Sequence, residues 1–84
     1  MAELATVKTT RYFDQMRTRP DRALILEEWI AKAIREPVSR YVQADGRIRI
    51  WTNAPEAGNK YIRVVLLADG ETVHNAFFDR RFAP

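Results

Sequence analysis

The chain contains no cysteine, only three glycines and a single histidine among its 84 residues. The missing cysteine excludes disulfides, thiolate nucleophiles and cysteine-ligated zinc or iron–sulfur sites. All three glycines fall in predicted turns or loops, so the chain offers no glycine-rich loop for phosphate. One histidine with scattered acidic residues is a poor ligand set for a metal. We therefore predict neither a metal site nor any other cofactor.

Long apolar runs are also missing. The first residues lack the stretch of about 7–15 apolar residues that marks a secretory signal. No run approaches the ~20 residues that a membrane-spanning helix needs. These absences predict a soluble cytoplasmic protein with no membrane partner. The length predicts one domain over residues 1–84, with residues 1–8 partly frayed.

The balance of cations is more informative than the net charge, which is only +3. Eleven arginines stand against three lysines. The planar guanidinium suits phosphate, carboxylate and base edges, and it stacks on aromatic rings. A GC-rich genome would also raise the arginine content, so the composition alone does not decide between these explanations.

Two helices are predicted in the first half of the chain. Thr9 or Thr10 can cap a short helix over residues 11–17, which Pro20 ends. Asp21 can cap a longer helix over residues 22–35, and Pro37 stops it. The longer helix carries one apolar stripe at helical spacing, made of Leu26, Trp29, Ile30, Ala33 and Ile34.

Four strands are predicted in the second half, over residues 38–43, 47–51, 61–67 and 72–78. Asp45-Gly46 predicts a type I′ hairpin turn, Asp69-Gly70 predicts a second turn, and residues 53–59 read as a loop. Alternation in the last strand places Val73 and Ala76 on opposite faces. In the two middle strands it assigns five residues to the core: Ile48, Ile50, Ile62, Val64 and Leu66.

The element order predicts an α+β fold. The simplest arrangement packs two N-terminal helices on one face of a four-stranded antiparallel β-meander, which buries the helix stripe against the sheet. The opposite face of the sheet is then open.

Four short motifs carry a resemblance to a known family. They are Glu36-Pro37 at a helix end, Asp45-Gly46-Arg47 opening a strand, the YIRVV stretch at residues 61–65, and the TVHNA stretch at residues 72–76. Together they resemble the small DUF4258-type proteins, which are similar in layout to the RelE/ParE and BrnT toxins. The first helix departs from the DUF4258-type pattern because it has Arg11 and Arg17 but no histidine.

The resemblance implies a RelE-like fold for residues 11–82 of an uncharacterised bacterial protein. It also implies a toxin-type, metal-independent endoribonuclease that acts on RNA and is paired with a cognate antitoxin-like protein. Catalytic residues vary among such toxins. The one recurring feature that maps onto this chain is a basic residue on the open sheet face, which Arg49 and Arg63 match.

The predicted open face mixes basic and aromatic side chains. Such a surface can bind phosphates while bases stack on the rings. The same groups can also form an ordinary solvent-facing sheet, stabilised by cation–π contacts and cross-strand packing. The candidate nucleic-acid-binding residues here are Arg47, Arg49, Trp51 and Tyr61.

His74 and Arg63 are the candidate catalytic residues. A histidine beside arginines supplies the acid–base group and the electrostatic clamp that RNA cleavage by a 2′-hydroxyl requires. The alternative is a half-buried histidine that is hydrogen-bonded in the sheet.

The run after the last strand also has two interpretations. Arg80 and Arg81 can hold a phosphate, while Asp79 orients His74 or an arginine. Alternatively, residues 77–82 form a salt-bridged strand end whose phenylalanines pack into the core.

Three functional hypotheses follow. The first is a metal-independent endoribonuclease, and the second is a non-catalytic module of the same fold that binds nucleic acid or a protein. The third is an interaction protein whose edge strand, residues 38–43, pairs with another chain.

Overall fold

The computed structural model describes residues 7–84, which form three α-helices, a short 3₁₀ helix (Pro55–Ala57) and one four-stranded antiparallel sheet. The helices are α1 (Arg11–Met16), α2 (Pro20–Ala23) and α3 (Glu27–Arg35). The strands are β1 (Ser39–Val42), β2 (Ile48–Ala54), β3 (Lys60–Leu66) and β4 (Val73–Phe78), side by side in chain order. The α+β class and the meander are confirmed, with three helices in place of two and with β2 extending into the predicted loop.

The first helix begins at its predicted cap. The Thr10 hydroxyl accepts a hydrogen bond from the Phe13 backbone N–H at 3.1 Å, which satisfies one of the free donors of the first turn. Phe13 enters the core with 3% of its surface exposed. The predicted fraying of residues 1–8 falls largely outside the described residues. Lys8 itself is attached, because its carbonyl accepts the Val73 N–H at 2.8 Å.

The second predicted helix is divided in two. α2 ends at Ala23 and α3 begins at Glu27, with a non-helical turn between them. This turn breaks the 3.6-residue period, so the stripe of α3 does not extend back through it. Ile25 is therefore buried at 6% exposure, whereas Leu26 is 46% exposed, and the prediction that Leu26 faces the core is wrong.

The core lies between α3 and the sheet. All five sheet residues predicted for the core are buried, as are Trp29, Ile30 and Ala33 of α3. Phe13 of α1 belongs to the same cluster, so α1 and α3 cover a common layer. Each large apolar side chain buried here contributes about 1.5–3 kcal/mol of transfer free energy.

The β1–β2 and β3–β4 turns lie at the same end of the sheet and are closed by equivalent hydrogen bonds. Gly46 N–H donates to Gln43 O at 3.0 Å, and Gly70 N–H donates to Leu67 O at 2.9 Å. Both glycines have positive φ. Asn59 is the only non-glycine residue in residues 7–84 with positive φ, so Asp45 does not have it. The predicted type I′ turn at Asp45-Gly46 is therefore wrong, since that type needs positive φ at both central positions.

A β-bulge changes the side-chain pattern of β4. Val65 pairs with Asn75 and Leu66 with Val73, so His74 is the extra residue on the bulged strand. The bulge shifts the alternation by one residue. Val73 and Ala76 consequently both face the core, at 0% and 3% exposure, and the prediction of opposite faces is wrong.

The two edges of the sheet differ. Along β4, residues 8–10 add a short parallel bridge, with Thr10 N–H donating to Val73 O at 3.0 Å. Within residues 7–84, no strand pairs with the outer edge of β1. The sheet therefore has one covered edge and one open edge.

Candidate functional site

The open face, defined as the sheet face turned away from α3, brings together the predicted basic and aromatic residues. In β2 and β3, buried residues alternate with residues on the open face. Arg49 pairs with Tyr41 of β1, and Trp51 pairs with Arg63 of β3. The strands thus pair as the binding hypothesis requires. The basic and aromatic positions on this face are Tyr41, Arg47, Arg49, Trp51, Tyr61, Arg63 and Phe77.

Arg63 is engaged by Asp79, which follows β4. Its Nε and Nη2 atoms lie 3.0 and 2.9 Å from Asp79 Oδ2, and the carboxylate is 7% exposed. Asp79 Oδ2 also accepts the Trp51 Nε1–H at 2.9 Å, while Oδ1 accepts the Arg81 backbone N–H at 3.1 Å. Asp79 therefore orients an arginine through a salt bridge at the strand end, a contact that both interpretations of the C-terminal run include.

The ionisation of Asp79 reflects this environment. Burial is the largest single influence and acts to raise the pKa. Hydrogen bonds from Trp51, Arg63 and the Arg81 N–H act in the opposite direction and together outweigh it. The pKa of Asp79 is consequently lowered from its ordinary value of 3.8, and the carboxylate is charged at neutral pH.

Phe82 covers Trp51. The two rings are stacked with centroids 4.7 Å apart and planes 13° from parallel, and the edge of Tyr61 meets Phe82 at 5.1 Å. Only 7% of the surface of Trp51 is exposed. Residues 79–82, here called the strap, thus lie over part of the open face, and Trp51 cannot stack on a base while the strap is in place.

Two arginines lie over Phe77 on the same face. The guanidinium carbons of Arg63 and Arg22 are 5.1 and 5.2 Å from its ring centroid. Arg22 also donates to Asn75 Oδ1 at 2.6 Å, which ties α2 to β4. These cation–π contacts match the structural alternative given for the open face, since they hold elements of one chain together.

The accessible part of the open face lies beside β1. Tyr41 is 56% exposed, and the Arg49 guanidinium carbon lies 5.6 Å from its ring centroid. Arg49 Nε donates to Gln43 Oε1 at 2.7 Å, which fixes the orientation of the guanidinium. Arg47 is 46% exposed and lies 3.9 Å from Asp45. A shallow depression of about 290 Å³ is lined by Tyr41, Gln43, Ala44, Asp45 and Arg49.

His74 lies against α1. Its Nδ1 is 3.1 Å from the Thr10 hydroxyl, and the Tyr12 ring stacks on the imidazole at 4.8 Å. Because that hydroxyl already accepts the Phe13 N–H, its own proton is free to be donated to a neutral imidazole. Burial, and then the charge of Arg47, lower the pKa of His74 from 6.5. The histidine is thus held neutral in a structural contact.

The two candidate catalytic residues are not brought into contact. Arg63 pairs with Phe77, three residues beyond His74 along β4, which corresponds to about 10 Å of strand. The partners of Arg63 are Asp79, Trp51 and Phe77, and those of His74 are Thr10 and Tyr12. A joint acid–base and clamp site would require the two side chains to converge on one phosphate, whereas each is held by a different set of partners.

The remaining predicted residues lie at the border of the strap. Arg80 and Arg81 are both exposed. Arg80 lines two clefts, one with Lys60 and Phe82 and the other with Arg22 and Phe77. Both arginines are therefore free to meet an anion from solvent.

Two functional classes find no support in the described part of the chain. No group of three or more histidine, aspartate or glutamate side chains in residues 7–84 can hold a metal ion. In the same range, no helix has both the length and the apolar character to cross a membrane.

Tyr41 and Phe77 lie on the open face but are not among the sequence-predicted site residues, and Tyr41 is the exposed one of the two. A signal for it was present, because Asp45-Gly46 defines the hairpin and fixes which residues pair across it. Counting outward from the observed closure, in which Gln43 N–H donates to Arg47 O, places Tyr41 opposite Arg49.

Comparison with protein-family models, with curated proteins and with solved structures finds no match for this chain.

Proposed function

We propose that this protein is a non-catalytic module that binds single-stranded nucleic acid, with RNA as the first candidate, through the accessible part of the open face. The observation that carries the proposal is the pair of Arg49 and the exposed Tyr41, with Arg47 beside it on the same face. The ring offers a base a stacking partner, and the two guanidinium groups offer phosphates a charge-assisted hydrogen-bond donor.

The charge on this surface supports the proposal. Among the described residues that line the depression, the only acidic group is Asp45, which is paired with Arg47. The chain as a whole carries +3. Binding of this kind releases counterions from the nucleic acid, so its affinity falls as salt rises, by a log–log slope of about −0.7 per phosphate contact on a single strand.

Binding without cleavage is the better-supported version. Cleavage by a 2′-hydroxyl needs an acid–base group within hydrogen-bond reach of the reacting oxygen, with a clamp on the same phosphate. Arg63 is held by Asp79, and His74 is held by Thr10 and Tyr12, so the two side chains do not meet at one phosphate. The alternative proposal is an endoribonuclease. It includes the RelE-like arrangement, an antitoxin-like partner and a cytoplasmic location. Purified protein that leaves RNA intact while binding it would decide against that alternative.

The binding proposal is tested with labelled single-stranded RNA and three arginine variants. Arg47→Ala and Arg49→Ala should each weaken binding and reduce the salt slope by about 0.7. Arg40→Ala is the matched control, because Arg40 pairs with Ile50 and lies on the other side of the same sheet. Equal loss in all three variants, or affinity that does not change with salt, would remove the proposed surface.

A second candidate function rests on the open edge of β1. Val38, Tyr41 and Val42 are exposed to 47%, 56% and 50%, which is unusual for three large apolar residues in one short segment. Since Gln43 N–H points to β2, ladder alternation turns the backbone of Arg40 and Val42 outward. A strand of another protein could add to this edge.

The edge hypothesis is separable from the nucleic-acid hypothesis. A strand as short as β1 presents less than the roughly 800 Å² per partner of a stable complex, so the expected association is weak. Val42→Lys should abolish it and leave RNA binding intact, while Val42→Thr should preserve both. Light scattering that detects only monomer for the unmodified protein at high concentration would exclude pairing between copies.

A further inference from the structure

We propose that Trp51, Tyr61 and Arg63 form a subsite for one nucleotide of the bound single strand, and that Phe82 occupies the place of its base in this structure. The inference rests on the proposed nucleic-acid function and adds a specific site to it. The strap is then an intramolecular competitor for part of the binding surface.

Phe82 contacts the rings of Trp51 and Tyr61 in the arrangement that a stacked aromatic ligand would take. Its ring lies 4.7 Å from Trp51 at 13° and 5.1 Å from Tyr61 at 66°. Pairs of aromatic rings favour two arrangements, parallel stacking and an edge-to-face contact. Phe82 makes the first with Trp51 and the second with Tyr61. A nucleobase presents the same flat π-face to Trp51, whatever its identity, so the subsite should tolerate different bases.

Arg63 supplies the polar part of the subsite. Its Nε and Nη2 face Asp79, and within residues 7–84 its Nη1 makes no hydrogen bond. The side chain is 25% exposed, and Nη1 is not among the buried unpaired atoms of residues 7–84, so this nitrogen can be reached from solvent. A phosphate beside the stacked base can accept from this nitrogen while Asp79 keeps the guanidinium in place.

The strap contains a fixed part and a displaceable part. Asp79 is held by Trp51, Arg63 and the Arg81 N–H, and it would remain. Within residues 7–84, the backbone of Phe82 makes a single long hydrogen bond, from its N–H to Asp79 O at 3.4 Å. Displacing Phe82 therefore costs mainly its two ring contacts, which the incoming base restores.

The subsite adjoins the surface already proposed. Trp51 lies two residues beyond Arg49 on the same strand and face, about 7 Å away. A single strand that contacts Tyr41 and Arg49 can therefore continue to Trp51. The occupied subsite should limit the affinity of the unmodified protein.

Removing the Phe82 ring should strengthen binding. The competing aromatic contacts correspond to a factor of roughly two to ten in affinity. Phe82→Ala should therefore bind labelled single-stranded RNA more tightly by about fivefold, and Phe82→Tyr, which retains a ring, should bind like the unmodified protein. Tyr61→Ala in the Phe82→Ala background should reduce the gain, because it removes one wall of the subsite.

The outcomes separate this inference from the function on which it rests. If the unmodified protein binds RNA and Phe82→Ala binds no more tightly, the subsite is overturned and the proposed function stands. If neither protein binds, both proposals are lost. A gain in Phe82→Tyr equal to that in Phe82→Ala would also overturn the subsite, since the ring would then not be the competitor.

A second measurement keeps the aromatic ring at position 82, so it does not depend on whether the Phe82→Ala variant folds. Phenylalanine at position 82 can be replaced by 4-fluorophenylalanine and observed by ¹⁹F NMR. Saturating RNA should move the resonance away from the position imposed by the Trp51 ring. A resonance that stays unchanged while RNA is bound would show that Phe82 is not displaced, and would overturn the inference.

Discussion

Arg63 and Asp79 form an ion pair on the open face in which two guanidinium nitrogens, at 3.0 and 2.9 Å, converge on one carboxylate oxygen. The pair joins β3 to the strap, and the Trp51 indole N–H donates to the same oxygen at 2.9 Å. This relationship explains why the strap lies on the sheet. It also gives Arg63 a structural role, which bears on every functional interpretation of that residue.

Asp79→Ala should lower the free energy of unfolding by about 2–4 kcal/mol, because it leaves Arg63 and the Trp51 N–H without their acceptor in a largely buried position. The measurement is urea denaturation followed by circular dichroism. Asp21→Ala is the control, since Asp21 is 68% exposed and its surface ion pairs are worth no more than about 1 kcal/mol. Losses of equal size would contradict the buried role of Asp79.

His74 should make the protein less stable in mild acid. Its pKa is lower in the folded chain than the 6.5 of the unfolded chain, so the unfolded state binds more protons as the pH falls. The stabilising contribution is therefore present above about pH 6.5 and is lost as the pH falls through the lower folded value. Burial first, and then the charge of Arg47, favour the neutral form, while Thr10 and Tyr12 are the residues in contact with the ring.

The check on His74 compares unfolding free energies of the unmodified protein and His74→Gln between about pH 7 and about pH 5.5, a range chosen to lie above ordinary carboxylate titration. The unmodified protein should lose stability relative to the variant on acidification. A gain in relative stability would reverse the sign and would mean that protonated His74 is favoured by the fold.

Thr52 and Thr10 should respond oppositely to replacement by valine. Thr52 is fully buried, and within residues 7–84 its hydroxyl has no hydrogen-bond partner. Thr52→Val should therefore be neutral or stabilising by about 1 kcal/mol. Thr10→Val should destabilise by about 1–2 kcal/mol, because it removes the α1 cap and the contact with His74. Thermal unfolding of both variants tests this, and a large loss in Thr52→Val would reveal a partner for its hydroxyl.

Sequence patterns predicted the parts of the fold that depend on local alternation. Ile48 and Ile50 of β2, and Ile62 and Val64 of β3, are buried as expected because the ladder between these strands is regular. The same rule failed at Val73, where one extra residue in β4 shifts the alternation. No local signal in the sequence distinguishes a bulged strand from a regular one here.

The site was harder to predict because its state depends on contacts between distant residues. Arg49 and Trp51 were assigned to the same face, and they lie on it. Only the folded chain shows that Phe82, 31 positions further on, covers Trp51 while Tyr41 leaves Arg49 accessible. The pairing of Arg63 with Asp79 is likewise a long-range result, although the charged strand end had suggested a salt bridge.

The most direct test of the account is a titration of ¹⁵N-labelled protein with a short single-stranded RNA, followed by amide NMR. We expect the amide shifts to concentrate at Tyr41, Arg47 and Arg49, to extend to Trp51 and the strap, and to spare α3. Shifts centred on α3, or no shifts at RNA concentrations well above that of the protein, would contradict the open face as a nucleic-acid-binding surface.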